Sequence, residues 1–237
     1  MSVGSSSIIL SRFLSSSAAW KKRHTSDKYT KLAFNNDLRA RSYYKLEEML
    51  THHLHHHRPL IKPGDYVIDL GAAPGGWTLC AASILFPHSN NNSNNNNNNN
   101  SNNNNSLLVG LDLLPIDAIA NAILLQGDFT VAHTQSELKS VSSNRLATTI
   151  LSDMLQNTTG IHSTDHLRSI DLCLSVLDFA QHHLAQNGNV LCKFLRGSDD
   201  KELLGAAKDM FHHVKVIKPL ASRSESSEIY LSCVKKK

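Results

Sequence analysis

The chain has 237 residues, 41% of them hydrophobic, with 24 Lys and Arg against 20 Asp and Glu. That is enough for one domain with a substantial core, and the lack of any run of roughly eighteen apolar residues excludes an apolar membrane-spanning helix. Four widely spaced cysteines (Cys80, Cys173, Cys192 and Cys233) form neither a disulfide framework nor a C-x-x-C zinc motif, and read as buried reduced thiols.

From Met1 to Ser26 there is no acidic residue, whereas Arg12, Lys21, Lys22 and Arg23 lie among serines and apolar residues. This composition predicts a mitochondrial transit peptide over 1–30 and a mature protein in the matrix; a basic tail without structure is the plainer alternative. Residues 31–237 are expected to form a single domain. Leu38, Arg41, Tyr44, Lys45, Glu48 and Met49 follow a helical period, predicting a helix over Asp37–His57 that Pro63-Gly64 breaks. A strand follows at Tyr66–Leu70, then the loop Gly71-Ala-Ala-Pro-Gly-Gly76 and a helix from Trp77 to Phe86. Asn90–Ser106 holds 14 Asn and 3 Ser; such a segment cannot offset its ordering entropy and is expected to be a disordered surface insertion. Further strands are predicted at Leu107–Leu111, Ala122–Leu125, Leu146–Ser152, Val190–Leu195, Val214–Lys218 and Ile229–Val234, with helices at Thr164–Gln186 and Lys201–Phe211. Short strands alternating with helices predict an α/β fold, a mostly parallel seven-stranded sheet with helices on both faces.

Such a sheet binds ligands at the carboxyl ends of its strands. Asp69-Leu-Gly-Ala-Ala-Pro-Gly-Gly-Trp77 ends the first strand, and its glycines allow close backbone approach, yet it matches neither G-x-G-x-x-G nor a P-loop. Asp112 ends the second strand and Asp128 follows the third. Without the 17-residue tract, Asp112 lies 24 residues beyond Gly71, near the spacing at which a carboxylate meets ribose hydroxyls. This set suits an adenosine cofactor lacking a pyrophosphate, S-adenosylmethionine. The structural alternative is that Asp112 and Asp128 cap helices.

Asp69–Trp77 (DLGAAPGGW), Gly110-Leu-Asp-Leu-Leu-Pro115, Leu125-Gln-Gly-Asp-Phe129 and Leu151-Ser-Asp-Met154 resemble the FtsJ/RrmJ family of ribosomal RNA ribose 2′-O-methyltransferases, over roughly Asp37 to Val234. The resemblance implies a Rossmann-like S-adenosylmethionine-dependent methyltransferase fold, with Asp69, Gly71, Pro74, Gly75, Gly76 and Trp77 at the cofactor, joined by Asp112, Asp128, Phe129 and Asp153. It also implies a catalytic Lys-Asp-Lys-Glu tetrad, matched here by Lys45, Asp153, Lys193 and Glu228. A ribose hydroxyl is a poor nucleophile, so its methylation needs proton removal or alkoxide stabilisation. Lys193 is expected in that role, with Asp153 as its orienter and Lys45 and Glu228 as substrate positioners. Lys193 interrupts an apolar strand, which a solvated lysine would not do. In one departure, Leu155-Gln156 replaces the family's Ala-Pro after Asp153-Met154.

Arg39, Arg41 and Lys45, with Tyr43 and Tyr44, are expected to share a helix that contacts RNA, helped by Arg196, Lys218 and Arg223. The histidines at 52, 53, 55, 56 and 57 lack a placed carboxylate or cysteine partner, and no metal is expected. The expected function is 2′-O-methylation of a ribose, a uridine by family resemblance, in mitochondrial large-subunit ribosomal RNA by a monomer acting on a ribosomal subunit precursor. A transfer RNA ribose methyltransferase and a non-catalytic ribosome-assembly factor are the alternatives.

Overall fold

A computed structural model of the chain describes residues 27–53, 59–87, 105–198, 200–223 and 225–237. They fall into two units, one ending at Arg41 and the other spanning Ser42–Lys237. In the first, helix α1 (Lys28–Asn35) is started by Asp27, whose carboxylate accepts from the Tyr29 and Thr30 amides at 3.0 and 3.1 Å and also takes the Arg41 guanidinium. The helix stops where Asp37 turns into the left-handed region (φ 53°) and the Leu38 amide donates back to the Ala33 carbonyl.

The second unit carries the sheet. Its strands are β1 (Tyr66–Leu70), β2 (Leu107–Asp112), β3 (Ile123–Gln126), β4 (Ala147–Ser152), β5 (Leu184–Leu195), β6 (Phe211–Ile217) and β7 (Glu228–Lys236), in the order β3-β2-β1-β4-β5-β7-β6. The first five strands run parallel, while β7 is antiparallel to both β5 and β6. Strand β1 is buried along its whole length, as its place between β2 and β4 requires, and so reads as an unbroken apolar run apart from Asp69.

Side chains leave β1 alternately toward two cores. Tyr66, Ile68 and Leu70 join a cluster with Phe179 and Phe194, covered by α4 (Ala132–Val141), α5 (His162–His183) and α6 (Asp200–Met210). Val67 joins Leu46, Trp77, Ala81, Leu151 and Tyr230 on the opposite face, under α2 (Ser42–Glu48) and α3 (Gly76–Leu85). The sheet is thus wrapped on both faces, as its composition predicts. All four cysteines are buried and free.

Several boundaries differ from the sequence reading. The helix expected over Asp37–His57 begins only at Ser42 and ends in a π-helical turn, Met49–His53; the preceding bend at Asp37 removes Arg39 and Arg41 from it. Helix α1 begins at Lys28, inside the stretch expected to be a tail. The helix predicted to reach Gln186 ends at His183, because β5 starts at Leu184 with no intervening loop. There the Lys236 ammonium donates to the carbonyls of Ala180, Gln181 and Leu184 at 3.0, 2.7 and 2.9 Å, satisfying the open carbonyls of the helix end. Helix α4 has no counterpart among the predicted elements.

Residues 1–26 of the expected transit peptide, His55–His57 and most of the Asn-rich tract lie outside the described residues. Its last residue, Ser106, is pinned at the amino end of β2, where its hydroxyl accepts from the Gly64 amide at 2.7 Å and donates to the Leu85 carbonyl at 3.2 Å. No helix among the described residues is long and apolar enough to cross a membrane.

Candidate active site

A cleft of about 620 Å³ opens at the carboxyl ends of β1 to β5, the position the α/β topology favours. Gly71, Asp112, Asp128, Phe129, Asp153 and Lys193 all line it. Gly71 leaves β1 with φ 73°, and a Cβ there would lie 1.9 Å from Met154 Cγ, so only glycine fits.

Asp112 is held from both sides. One oxygen accepts from the Ala73 amide and the other from the Leu114 amide, each at 2.8 Å, so the carboxylate ties the glycine loop to the end of β2. Asp128 accepts from the Thr130 amide and hydroxyl at 2.8 and 2.7 Å. Neither bond set is a helix cap: α4 begins after Val131 and has no side-chain cap. Both carboxylates therefore stand in turns at strand ends, against the cleft.

The four charged residues drawn from distant parts of the sequence meet as two ion pairs. Lys45 Nζ donates to Glu228 Oε2 at 2.8 Å, and Lys193 Nζ lies 3.2 Å from Asp153 Oδ1. Tyr230 links them. Its hydroxyl donates to the same Asp153 oxygen at 3.0 Å, and the Lys45 ammonium lies over its ring, 5.9 Å from the centroid. The ring is buried against Trp77, 5.6 Å between centroids, and Trp77 Nε1 donates to the Ser42 carbonyl at the start of α2. Sheet register explains the convergence: antiparallel β7 pairs Tyr230 with Lys193 and Glu228 with Leu195, so the beginning of β7 arrives at the finishing end of β5. At 8% exposure the Lys193 side chain is almost buried and needs such partners.

The family described as FtsJ-like methyltransferase matches residues 38–236. The chain belongs to that family. This FtsJ-like chain is 37% identical over 213 residues to the ribosomal RNA large subunit methyltransferase E of Variovorax paradoxus (strain S110), covering 90% of each. It is 37% identical over 222 residues to the protein of the same name from Rickettsia akari (strain Hartford), covering 94% of this chain and 90% of that one. A crystal structure described as a ribosomal RNA methyltransferase from Plasmodium falciparum superposes with TM-score 0.67 at 26% identity, over 84% of this chain and 98% of that one. The fold is shared more distantly with Aeropyrum pernix fibrillarin solved with natively bound S-adenosyl-L-methionine, TM-score 0.50 at 14% identity, over 83% of this chain and 75% of that one. The chain is thus a methyltransferase with a Rossmann-like, mostly parallel sheet.

Within this FtsJ-like site, the remaining candidates stand behind the cleft rather than on its wall. Asp69 is fully buried; one oxygen accepts from the Thr78 hydroxyl at 2.6 Å, and the other meets no hydrogen-bond partner among the described residues. Burial pushes its pKa up to about 7, the Thr78 bond opposes, and the Asp153 and Asp112 charges add to the rise. Gly75 starts α3 in the left-handed region (φ 110°), Gly76 is its first residue, and Trp77 packs inward. Pro74 lies in the loop that Asp112 holds through the Ala73 amide. The sequence signal for Tyr230 is its place two residues after Glu228 in an alternating strand. Leu155 and Gln156, the residues that depart from the family pattern, both line the cleft. Among the described residues no three His, Cys, Asp or Glu side chains converge as metal ligands.

Proposed function

We propose that this chain methylates the 2′-hydroxyl of a ribose, a uridine, in mitochondrial large-subunit ribosomal RNA, with S-adenosylmethionine as methyl donor. The observation that carries the reading is the meeting of Lys45–Glu228 and Lys193–Asp153 through Tyr230 at the rim of a cleft that can take the donor. The cleft has the volume of a small-molecule site, carboxylates at the ends of β2 and β3 where ribose and adenine would be read, the apolar Phe129 in its lining, and no side chain at Gly71. When bound, the donor supplies an electrophilic sulfonium methyl, which in-line displacement moves to the ribose oxygen as its carbon–sulfur bond breaks.

The chain's own residues prepare the acceptor. Lys193, aimed by Asp153, takes the hydroxyl proton or holds the developing alkoxide. Tyr230 fixes the Asp153 carboxylate from its other side. Lys45 and Glu228 hold the target ribose against the rim. Water is kept from Lys193 and Tyr230 by burial, which strengthens each of these electrostatic contacts. Every group comes from one chain, which supports action as a monomer on a ribosomal subunit precursor. The basic, acid-free composition up to Ser26 supports import into the mitochondrial matrix.

The deciding experiment maps ribose methylation in mitochondrial ribosomal RNA with and without this protein. Loss of one 2′-O-methyl group from the large-subunit RNA is expected. Loss from a transfer RNA instead, or no loss, overturns the reading. Because Leu155 and Gln156 alter the cleft wall itself, a second reading, an assembly factor that acts without catalysis, is tested by whether Lys193→Ala restores ribosome assembly.

A further inference from the structure

A second concavity, of about 400 Å³, lies just past the end of β5 and beside the start of β7. Its lining includes His162, Arg196, Gly197, Lys218, Ser226 and Ser227, and no acidic side chain among the described residues. One guanidinium, one ammonium and one imidazole thus share a small hollow with two hydroxyl side chains, a donor set suited to the oxygens of a phosphodiester.

The backbone that presents Arg196 is fixed on every side. The Leu195 amide donates to Ser169 Oγ at 3.0 Å, and the Leu195 carbonyl meets His166 Nδ1 at 2.7 Å. The Arg196 amide donates to the Ser227 carbonyl at 2.9 Å, which joins it to the residue preceding Glu228. Gly197 turns directly over the His166 ring, where a Cβ would come within 2.3 Å of Cγ. Lys218 reaches across the same rim and donates to the Ser226 carbonyl. A rigid platform of this kind loses less freedom when it grips an anion than a loose surface lysine does. Among the described residues the Arg196 guanidinium makes no hydrogen bond or ion pair.

The hollow is also placed with respect to the reaction. Side chains alternate along β7, so Glu228 and Tyr230 face the α2 and α3 side while Ile229, which lines the hollow, faces α5. Arg196 is three residues beyond Lys193, roughly 10 Å along the strand. That separation suits the backbone of a nucleotide flanking the methylated ribose rather than the ribose itself.

We propose that Arg196, with Lys218, His162 and the Ser226–Ser227 hydroxyls, forms a subsite for an RNA backbone phosphate next to the target nucleotide. This rests on the reading of the chain as an RNA ribose methyltransferase. The subsite sets the register of the strand, so that one ribose and not its neighbour is presented to Lys193.

The test uses the full-length chain, large ribosomal subunits from cells lacking it as methyl acceptor, and a fluorescent single-stranded oligoribonucleotide for direct binding. Arg196→Gln is expected to raise KM for the subunits about five- to tenfold with kcat changed less than about twofold, and to leave KM for S-adenosylmethionine unaltered. Its oligoribonucleotide affinity should fall less steeply with salt, the slope of log K against log salt shrinking by about 0.7 for one lost phosphate contact. Arg196→Lys, which keeps the charge, should recover most of the slope. If the wild type methylates the subunits and Arg196→Gln matches it in KM and slope, the subsite is disproved while the enzyme reading stands. If the wild type itself methylates no ribosomal RNA, the enzyme reading fails and takes the subsite with it.

Discussion

Tyr230 donates its hydroxyl to Asp153 Oδ1 at 3.0 Å, the same oxygen that faces Lys193 Nζ at 3.2 Å. The carboxylate is therefore fixed from two directions, and the lysine is aimed by a group that cannot swing. Tyr230→Phe keeps the ring, its Trp77 contact and the Lys45 cation–π geometry but removes this one bond. A hydrogen bond to a charged group contributes about 1.5–3 kcal/mol, so kcat in single-turnover methylation should fall about tenfold or more with donor binding intact. An unchanged kcat would show that Asp153 needs no second anchor.

Lys193→Ala should cost on the order of a thousandfold in methyl transfer, the scale on which removal of a transition-state-stabilising group acts. Calorimetry should show S-adenosylmethionine binding within a few-fold of wild type, since Lys193 is one wall residue among many. Near-normal methylation by a folded Lys193→Ala protein would remove this lysine from the chemistry.

Gly71→Ala asks a left-handed backbone to carry a Cβ 1.9 Å from Met154 Cγ. Either the loop or Met154 must move, and both bound the cleft. Donor affinity is expected to drop at least about tenfold, a loss of about 1.4 kcal/mol or more. Equal affinity would mean that the loop does not touch the donor.

Two buried titrating groups pull acid stability in opposite directions. His183 is stacked on Phe179, 4.2 Å between centroids, and burial, aided by Lys139 and His182, takes its pKa down to about 4. Between pH 6.5 and 4 the unfolded chain binds this proton more readily than the folded one, so stability falls as pH drops through that window. Asp69, raised to about 7 from 3.8, adds stability below pH 4 that disappears as pH rises toward 7. In urea melts at pH 5 and pH 7.5, His183→Phe should lose less on acidification than wild type, and Asp69→Asn should lose more. Parallel behaviour of all three proteins would refute the assignment.

Lys236 closes the carbonyl end of α5 with three bonds. Lys236→Met keeps much of the apolar stem but none of the donors. A loss of about 1–2 kcal/mol is expected, lowering Tm by about 3–6 °C in a domain of this size. A melt within 1 °C of wild type, read roughly against that scale, would show that water replaces the ammonium at no cost.

The sheet was legible because its strands are short apolar runs cut off by Gly, Pro and Asn, and because parallel strands buried on both faces tolerate few polar residues. Of the exceptions, Lys193 lines the cleft and Asp69 lies buried behind it. Helix boundaries were less legible. The apolar period around Leu38 continues smoothly into Lys45, and nothing in periodicity shows that Asp37 adopts a positive φ. The α5 to β5 junction was blurred for a similar reason: Leu184 and Ala185 suit a helix as well as a strand, and only pairing with Ala147 decides. The partners of Asp112 and the role of Tyr230 depend on register between distant strands, which no local pattern carries.

Ser106 is anchored at the amino end of β2, six residues and roughly 20 Å from the strand end that bears Asp112. An epitope or dye attached beside Ser106 would therefore join the fold at the strand end opposite the reactive groups, a convenient place for following the protein without disturbing turnover.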